Sequence, residues 1–342
     1  MATAPPAPHL YELARIYAGL AAACRRGDRA AIDRTLGVLL GLNAATPRAS
    51  PRVSSMLAYR GFKPAELAML AAGDKPVVKF EDIPLADADA FVARMDGRFQ
   101  LVRSEPYVKD GLLLRSERPV PGREWLVTIY ASRDDRASRL AALEAASPDD
   151  ARGAGRLLGF PECCIDAFID DMQRSREDQD TVNDDACRRV LETANPGHAL
   201  LCPLSNLELI GFYPCHTRCP EALALAERNL MALEQQRPGS AAATRRRLAG
   251  SYLFYRLPFF VRLPHPPDAD GWVATEGWCA NVFPHQPAAT VQRRFAAQLA
   301  ATVAGADAIS VRDGVLWRRG ARGAQPAAGT AAWPPIMAFF EA

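Results

Sequence analysis

Long apolar runs are missing from this chain. The most apolar stretch, residues 252–263, is too short to span a bilayer as a helix and is broken by Pro258. Residues 1–8 are small and proline-rich, with neither the basic start nor the apolar run of a signal peptide. No membrane association is expected, and a cytoplasmic location follows. A surplus of either charge is missing too: 41 Lys+Arg against 39 Asp+Glu give a formal net charge of +2. That balance argues against the clustered basic footprint of a general nucleic-acid binder. The one compact basic run, Arg245-Arg246-Arg247, is expected on the solvated face of a helix, too small a patch to steer a polyanion. Three reaction-marking motifs are also absent: a phosphate-binding glycine loop, a Gly-x-Ser-x-Gly elbow and a His-Glu-x-x-His pair.

What is present is ordinary globular material. Hydrophobic residues make up 49% of the chain and charged residues 23%. At 342 residues it is long for one hydrophobic core. The expected class is α+β, in three regions: an α+β N-terminal region over 1–147 that opens with helices, a helical cysteine-containing region over 148–250, and a mixed C-terminal region over 251–342 with a small antiparallel sheet.

Apolar residues at helical spacing (Leu10, Leu13, Ile16, Tyr17, Leu20, then Ile32, Leu36, Leu39, Leu40) predict two N-terminal helices. Short helices are expected at 64–72 and 85–95, and strands at 99–103 and 124–131. Ser147-Pro148-Asp149-Asp150 reads as a helix start, and Gly159 as the C-terminal cap of that helix. Further helices are expected from Pro161, over 180–192, over 220–236 and over 288–303. Strands are expected at 252–263, 272–283 and 308–318, the last turning at Asp313-Gly314.

Six of the eight cysteines lie between Cys163 and Cys219. Thiols in a reducing compartment point to metal binding or catalysis before disulfides. Two local patterns stand out, Gly159-Phe160-Pro161-Glu162-Cys163-Cys164 and Phe212-Tyr213-Pro214-Cys215-His216-Thr217-Arg218-Cys219-Pro220. Each sets its cysteines beside a proline that opens a helix. Cys163 and Cys164 would then occupy a first turn, and Cys219 a cap, where free N–H groups and the helix dipole favour a thiolate. The helices starting at Pro161 and Pro220 should therefore aim their N-termini at one site, with the 180–192 helix packed outside it. Neighbouring helical residues diverge by roughly 100°, so adjacent cysteines are expected to chelate a single tetrahedral ion poorly and a multi-iron cluster better.

With Phe168 after the first pattern and Asn206 ahead of the second, the two patterns together resemble the prokaryotic family catalogued as domain of unknown function 483, over about residues 150 to 235. The resemblance implies a shared cysteine site and no settled activity.

The leading expectation is an iron–sulfur protein, with a 4Fe-4S cluster held by Cys163, Cys164, Cys215 and Cys219. Redox, sulfur-transfer or dehydration chemistry would follow, on an unknown small-molecule substrate or with a redox partner. The alternatives are a structural zinc site in a scaffold or binding protein, and a thiol redox protein. Cys202 is an alternative fourth ligand, and His216 and His198 are accessory candidates. Asp166, Asp170 and Asp171 are expected as a solvated acidic face, with a general base as their functional alternative. Residues 272–279 with His285 form a second, polar–aromatic candidate cluster that would close over the central site; Cys279 is its candidate catalytic thiol, and Trp278 and Phe283 are expected to pack as strand residues.

Overall fold

The computed structural model describes residues 20, 22–23, 26–40, 53–54, 64–95, 97–110, 114–120, 122–174, 179–194, 196–204, 209–257, 259–281, 288–327 and 333–341. The architecture is α+β, as the sequence predicts: helices combined with several small sheets. The chain divides into two compact units, Met1–Ala58 with Gly250–Phe339, and Tyr59–Ala249 with Phe340–Ala342. Among the described residues no helix is long and apolar enough to cross a membrane.

In the first unit, strands Gly250–Arg256 and Phe259–Leu263 pair antiparallel, so the single strand expected at 252–263 is a hairpin. Cys279–Asn281 continues that sheet antiparallel, and Val53–Ser54 adds to it in parallel. A second sheet holds Val273–Ala274, Ala308–Arg312, Val315–Gly320 and Gly323–Pro326. Its tight turn is Asp313-Gly314, with φ of 50° and 69°. These positive values are what a two-residue hairpin of this twist requires. Helix Ala288–Thr302 packs on helix Arg29–Leu40. The first expected N-terminal helix lies mainly outside the described residues.

The second unit carries the cysteine patterns, and its elements are labelled here in chain order. They are α1 (Pro64–Ala72), β1 (Val77–Pro84), α2 (Ala88–Ala93), β2 (Gln100–Arg103), β3 (Val108–Asp110), β4 (Leu114–Ser116) and β5 (Leu126–Ser132). There follow α3 (Arg136–Ala146), α4 (Ala151–Leu158), α5 (Glu162–Arg174), α6 (Gln179–Glu192), β6 (Gly197–His198), α7 (Pro220–Gln236) and α8 (Ser240–Leu248). The antiparallel sheet runs β1-β5-β2.

Every residue of the central strand β5 is buried, because both faces of the sheet are covered. Val127, Ile129 and Ala131 pack with Leu70, Phe80 and Met95 on one face. Tyr130 packs with Val77, Ala137 and Leu140 on the other, where Leu157 and Leu158 of α4 join it. Burying each large apolar side chain stabilises by about 1.5–3 kcal/mol, so this core fixes α4 and the turn after it.

That turn starts the site. Asp150 caps α4 by accepting the Gly153 N–H at 2.8 Å, in place of the serine expected for that role. Gly159 ends α4 in the left-handed region at φ 78°, and a Cβ there would lie 2.9 Å from Pro76. The Pro161 carbonyl then accepts the N–H groups of Cys164 and Ile165, both at 3.0 Å, and α5 begins.

Candidate metal centre

Cys163 and Cys164 sit in the first turn of α5, and Cys219 is the N-cap of α7, with Pro220 at the first helical position. Cys215 lies in the loop before it. The two helix starts converge as the prolines predict. The sulfurs of Cys163, Cys164, Cys215 and Cys219 all lie within 4.8 Å of one another. Cys163 Sγ is 3.6 Å from Cys219 Sγ and 3.9 Å from Cys164 Sγ, and Cys164 Sγ is 3.8 Å from Cys219 Sγ. Adjacency does not keep the two α5 cysteines apart. Neighbouring Cα atoms are only ~3.8 Å apart, and rotation about the short side chain turns both sulfurs inward despite the ~100° helical step.

Aromatic pairs hold the two halves together. Phe160 packs on Phe212 with ring centroids 4.7 Å apart, and Phe168 stacks on Tyr213 at 6.3 Å. The aromatic residues flanking each cysteine pattern thus pair with one another, each worth about 0.5–1.5 kcal/mol beyond its burial.

α6 fixes the Cys215 loop from outside, which is where the sequence places that helix. Arg189 donates to the carbonyls of Pro214 (3.1 Å) and Cys215, and its Nε lies 2.9 Å from Asp171 Oδ2. Thr217 N–H donates to Thr193 Oγ1 at 3.1 Å, and Thr217 Oγ1 returns a bond to the Thr193 carbonyl at 3.0 Å. Asp171 is therefore not part of a solvated acidic face: it is 2% exposed and ion-paired to Arg189 and Arg174. Asp166 and Asp170 are exposed, and Asp166 pairs with Arg152 at 2.6 Å. Arg189 carried no sequence signal, since its partners come from other elements.

The electrostatics are uneven. Burial, then hydrogen bonding with Cys219 and the charge of Cys215, pushes the Cys163 thiol up to about 12. Burial likewise raises Cys164, against the lowering effect of the Cys215 N–H, which lies 3.4 Å from its sulfur. Cys215 is raised by burial and then by Cys219. Burial also pushes Cys219 upward, but the Ala222 N–H and hydrogen bonds from the other three thiols outweigh it, so its net shift is downward. Cys219 is thus the one thiol of the group whose thiolate form the surroundings favour, while those of Cys163, Cys164 and Cys215 are disfavoured. A cation bound there displaces protons and supplies the missing positive charge.

The remaining candidates fall elsewhere. Cys202 is fully buried beside Cys187, outside the four-sulfur group. His216 is exposed, and its Nδ1 accepts the Arg218 N–H at 3.2 Å. His198 Nδ1 accepts the Leu200 N–H at 3.3 Å. Cys279 sits in the first unit's sheet, its thiol raised by burial. His285, Phe283 and Asn206 lie outside the described residues.

Fold and geometry define an α+β protein with a four-cysteine group able to hold a metal ion. Residues 129–237, which contain all four cysteines, match the family described as Protein of unknown function (DUF483), so the resemblance read from the two patterns holds for the segment that carries them. No curated protein and no solved structure matches the chain.

Proposed function

We propose that the protein is a metalloprotein in which Cys163, Cys164, Cys215 and Cys219 hold one zinc ion. The ion's work is to lock the starts of α5 and α7 together in a binding or scaffold protein. The spacing of the sulfurs carries this reading. Zinc–thiolate bonds of about 2.3 Å put the corners of a tetrahedron roughly 3.8 Å apart. The separations of 3.6, 3.8 and 3.9 Å lie around that value. In a 4Fe-4S cluster each thiolate caps a different iron, which spreads the sulfurs to roughly 6 Å. A limit of 4.8 Å across the whole group favours one ion over the cluster expected from the adjacent cysteines. Four protein sulfurs also complete a tetrahedral shell, the pattern of a structural site rather than a catalytic one.

Metal and acid-labile sulfide analysis of anaerobically purified protein tests this. The expected result is colourless protein with one zinc per chain and no sulfide, whose melting temperature falls on chelation. Brown protein with several irons and matching sulfide would restore the cluster and overturn the zinc reading. One iron without sulfide would keep the tetrahedral site and replace the ion.

A further inference from the structure

The four thiols are not equivalent. Cys164 and Cys219 are 2% and 1% exposed, and the Cys215 N–H donates to the Cys164 sulfur at 3.4 Å. Cys215 is half-buried, with its carbonyl held by Arg189. Cys163 is also half-buried, and among the described residues no backbone N–H is bonded to its sulfur. Its contact outside the thiol group is a carboxylate: Glu221 Oε2 lies 3.8 Å from Cys163 Sγ, the same scale that separates the sulfurs from one another. Glu221 is exposed, in the first turn of α7.

Four thiolates around a dication carry a net charge of −2. N–H donors disperse that charge, whereas a carboxylate at this range adds to it, and water screens the repulsion only in part. A helix start favours an acidic residue for its own reasons. It does not require that residue to face a half-buried sulfur of the group.

We propose, building on the zinc reading, that Cys163 is the releasable corner of the centre. Glu221 is the group that releases it, which makes the ion exchangeable with a thiol-rich metal acceptor. In this step the Cys163–ion bond breaks and the thiolate takes a proton from water, leaving hydroxide to the buffered solvent. A Glu221 carboxylate oxygen fills the vacated position, and no electron changes hands. The other three thiolates hold the ion until those of the acceptor displace them. Oxygen suits zinc less well than thiolate, so the substituted centre gives up its ion more readily.

The test begins with full-length protein shown to carry one zinc per chain, mixed with excess chromophoric chelator. Glu221→Gln keeps the shape and removes the charge, and should slow zinc transfer about fivefold, the order expected for one adjacent charge partly screened by water. Glu221→Ala should slow it similarly. Iodoacetamide labelling of the loaded protein should reach Cys163 first, and Glu221→Gln should slow that labelling in parallel. Unchanged transfer in both Glu221 variants, or equal labelling of all four thiols, overturns the proposal while leaving the zinc centre standing. Protein that binds no ion at all overturns the zinc reading and the proposal with it.

Discussion

Arg189 bridges Asp171 and the carbonyl of Cys215, tying the body of α5 to the loop that supplies one of the four thiols. Breaking a buried ion pair from one side costs about 3–5 kcal/mol, because the remaining charge stays buried without its partner. Here Arg174 also holds Asp171, at 2.6 Å, so part of that cost is relieved. Arg189→Met should lower stability by about 2 kcal/mol in urea titrations. It should also weaken zinc binding, since Cys215 loses its anchor. Combined with Asp171→Asn, the loss should be clearly less than the sum of the two single losses. Full additivity would mean that the two side chains act separately.

Cysteine substitutions should sort the thiols by place. Cys164→Ser, inside the group, should drop the bound zinc well below one per chain and abolish the effect of chelation on melting. Cys187→Ala and Cys202→Ala should retain full zinc, because neither sulfur belongs to the group. Both are completely buried, so each should still cost about 1 kcal/mol of stability through the small cavity left behind. Elemental analysis beside thermal melting separates the two effects. Loss of zinc in Cys202→Ala would move the fourth ligand to that residue.

Gly159 offers a purely backbone test. Its φ of 78° and the 2.9 Å approach of an added Cβ to Pro76 both oppose a side chain. Gly159→Ala should destabilise by about 1–2 kcal/mol or more, from left-handed strain plus the clash. Because the residue lies four positions before Cys163, zinc affinity should fall with it, as measured by chelator competition. An Ala variant with unchanged stability would show that the turn relaxes freely.

The parts of this site that were legible in the sequence are those written in local signals. Pro161, Gly159 and Pro220 set helix boundaries within one turn of themselves, and α7 begins at the predicted residue with Cys219 as its cap. The Asp313-Gly314 turn is legible for the same reason. Contacts between distant segments are not. Nothing local marks Arg189 as the partner of Asp171 and Cys215, or Phe160 as the partner of Phe212. The strand β1 escapes a periodicity reading because Lys79, Glu81 and Asp82 interrupt its apolar residues. Asp82 sits at a register shift with φ 59°, satisfied by the Tyr107 hydroxyl at 2.9 Å. The adjacency of Cys163 and Cys164 does not foretell the 3.9 Å between their sulfurs for a related reason: helical angles constrain Cβ directions, but not where a one-atom extension can be turned.

A rise in pH should destabilise the metal-free protein above pH 8 and stabilise the zinc-loaded protein below it. Without metal, Cys163, Cys164 and Cys215 have thiol pKa values raised in the folded state, against ~8.5 for a thiol in an unfolded chain. A raised pKa means that the folded protein keeps protons which the unfolded chain gives up. The associated stability is complete below pH ~8.5 and is lost as pH rises towards about 12, where Cys163 titrates. Cys219 works the other way: its lowered pKa contributes above ~8.5 and fades as pH falls through the folded-state value. Three thiols against one set the net sign, so the urea midpoint of chelator-treated protein should fall between pH 8 and 10.5. Zinc binding requires all four thiolates and so expels the protons of the three raised groups. The apparent zinc affinity should therefore climb by more than about tenfold per pH unit between pH 6 and 8, and the midpoint of the loaded protein should rise over the same range. Chelator competition and urea titration at each pH check the two slopes. Parallel curves with and without zinc would show that these thiols do not carry the ion.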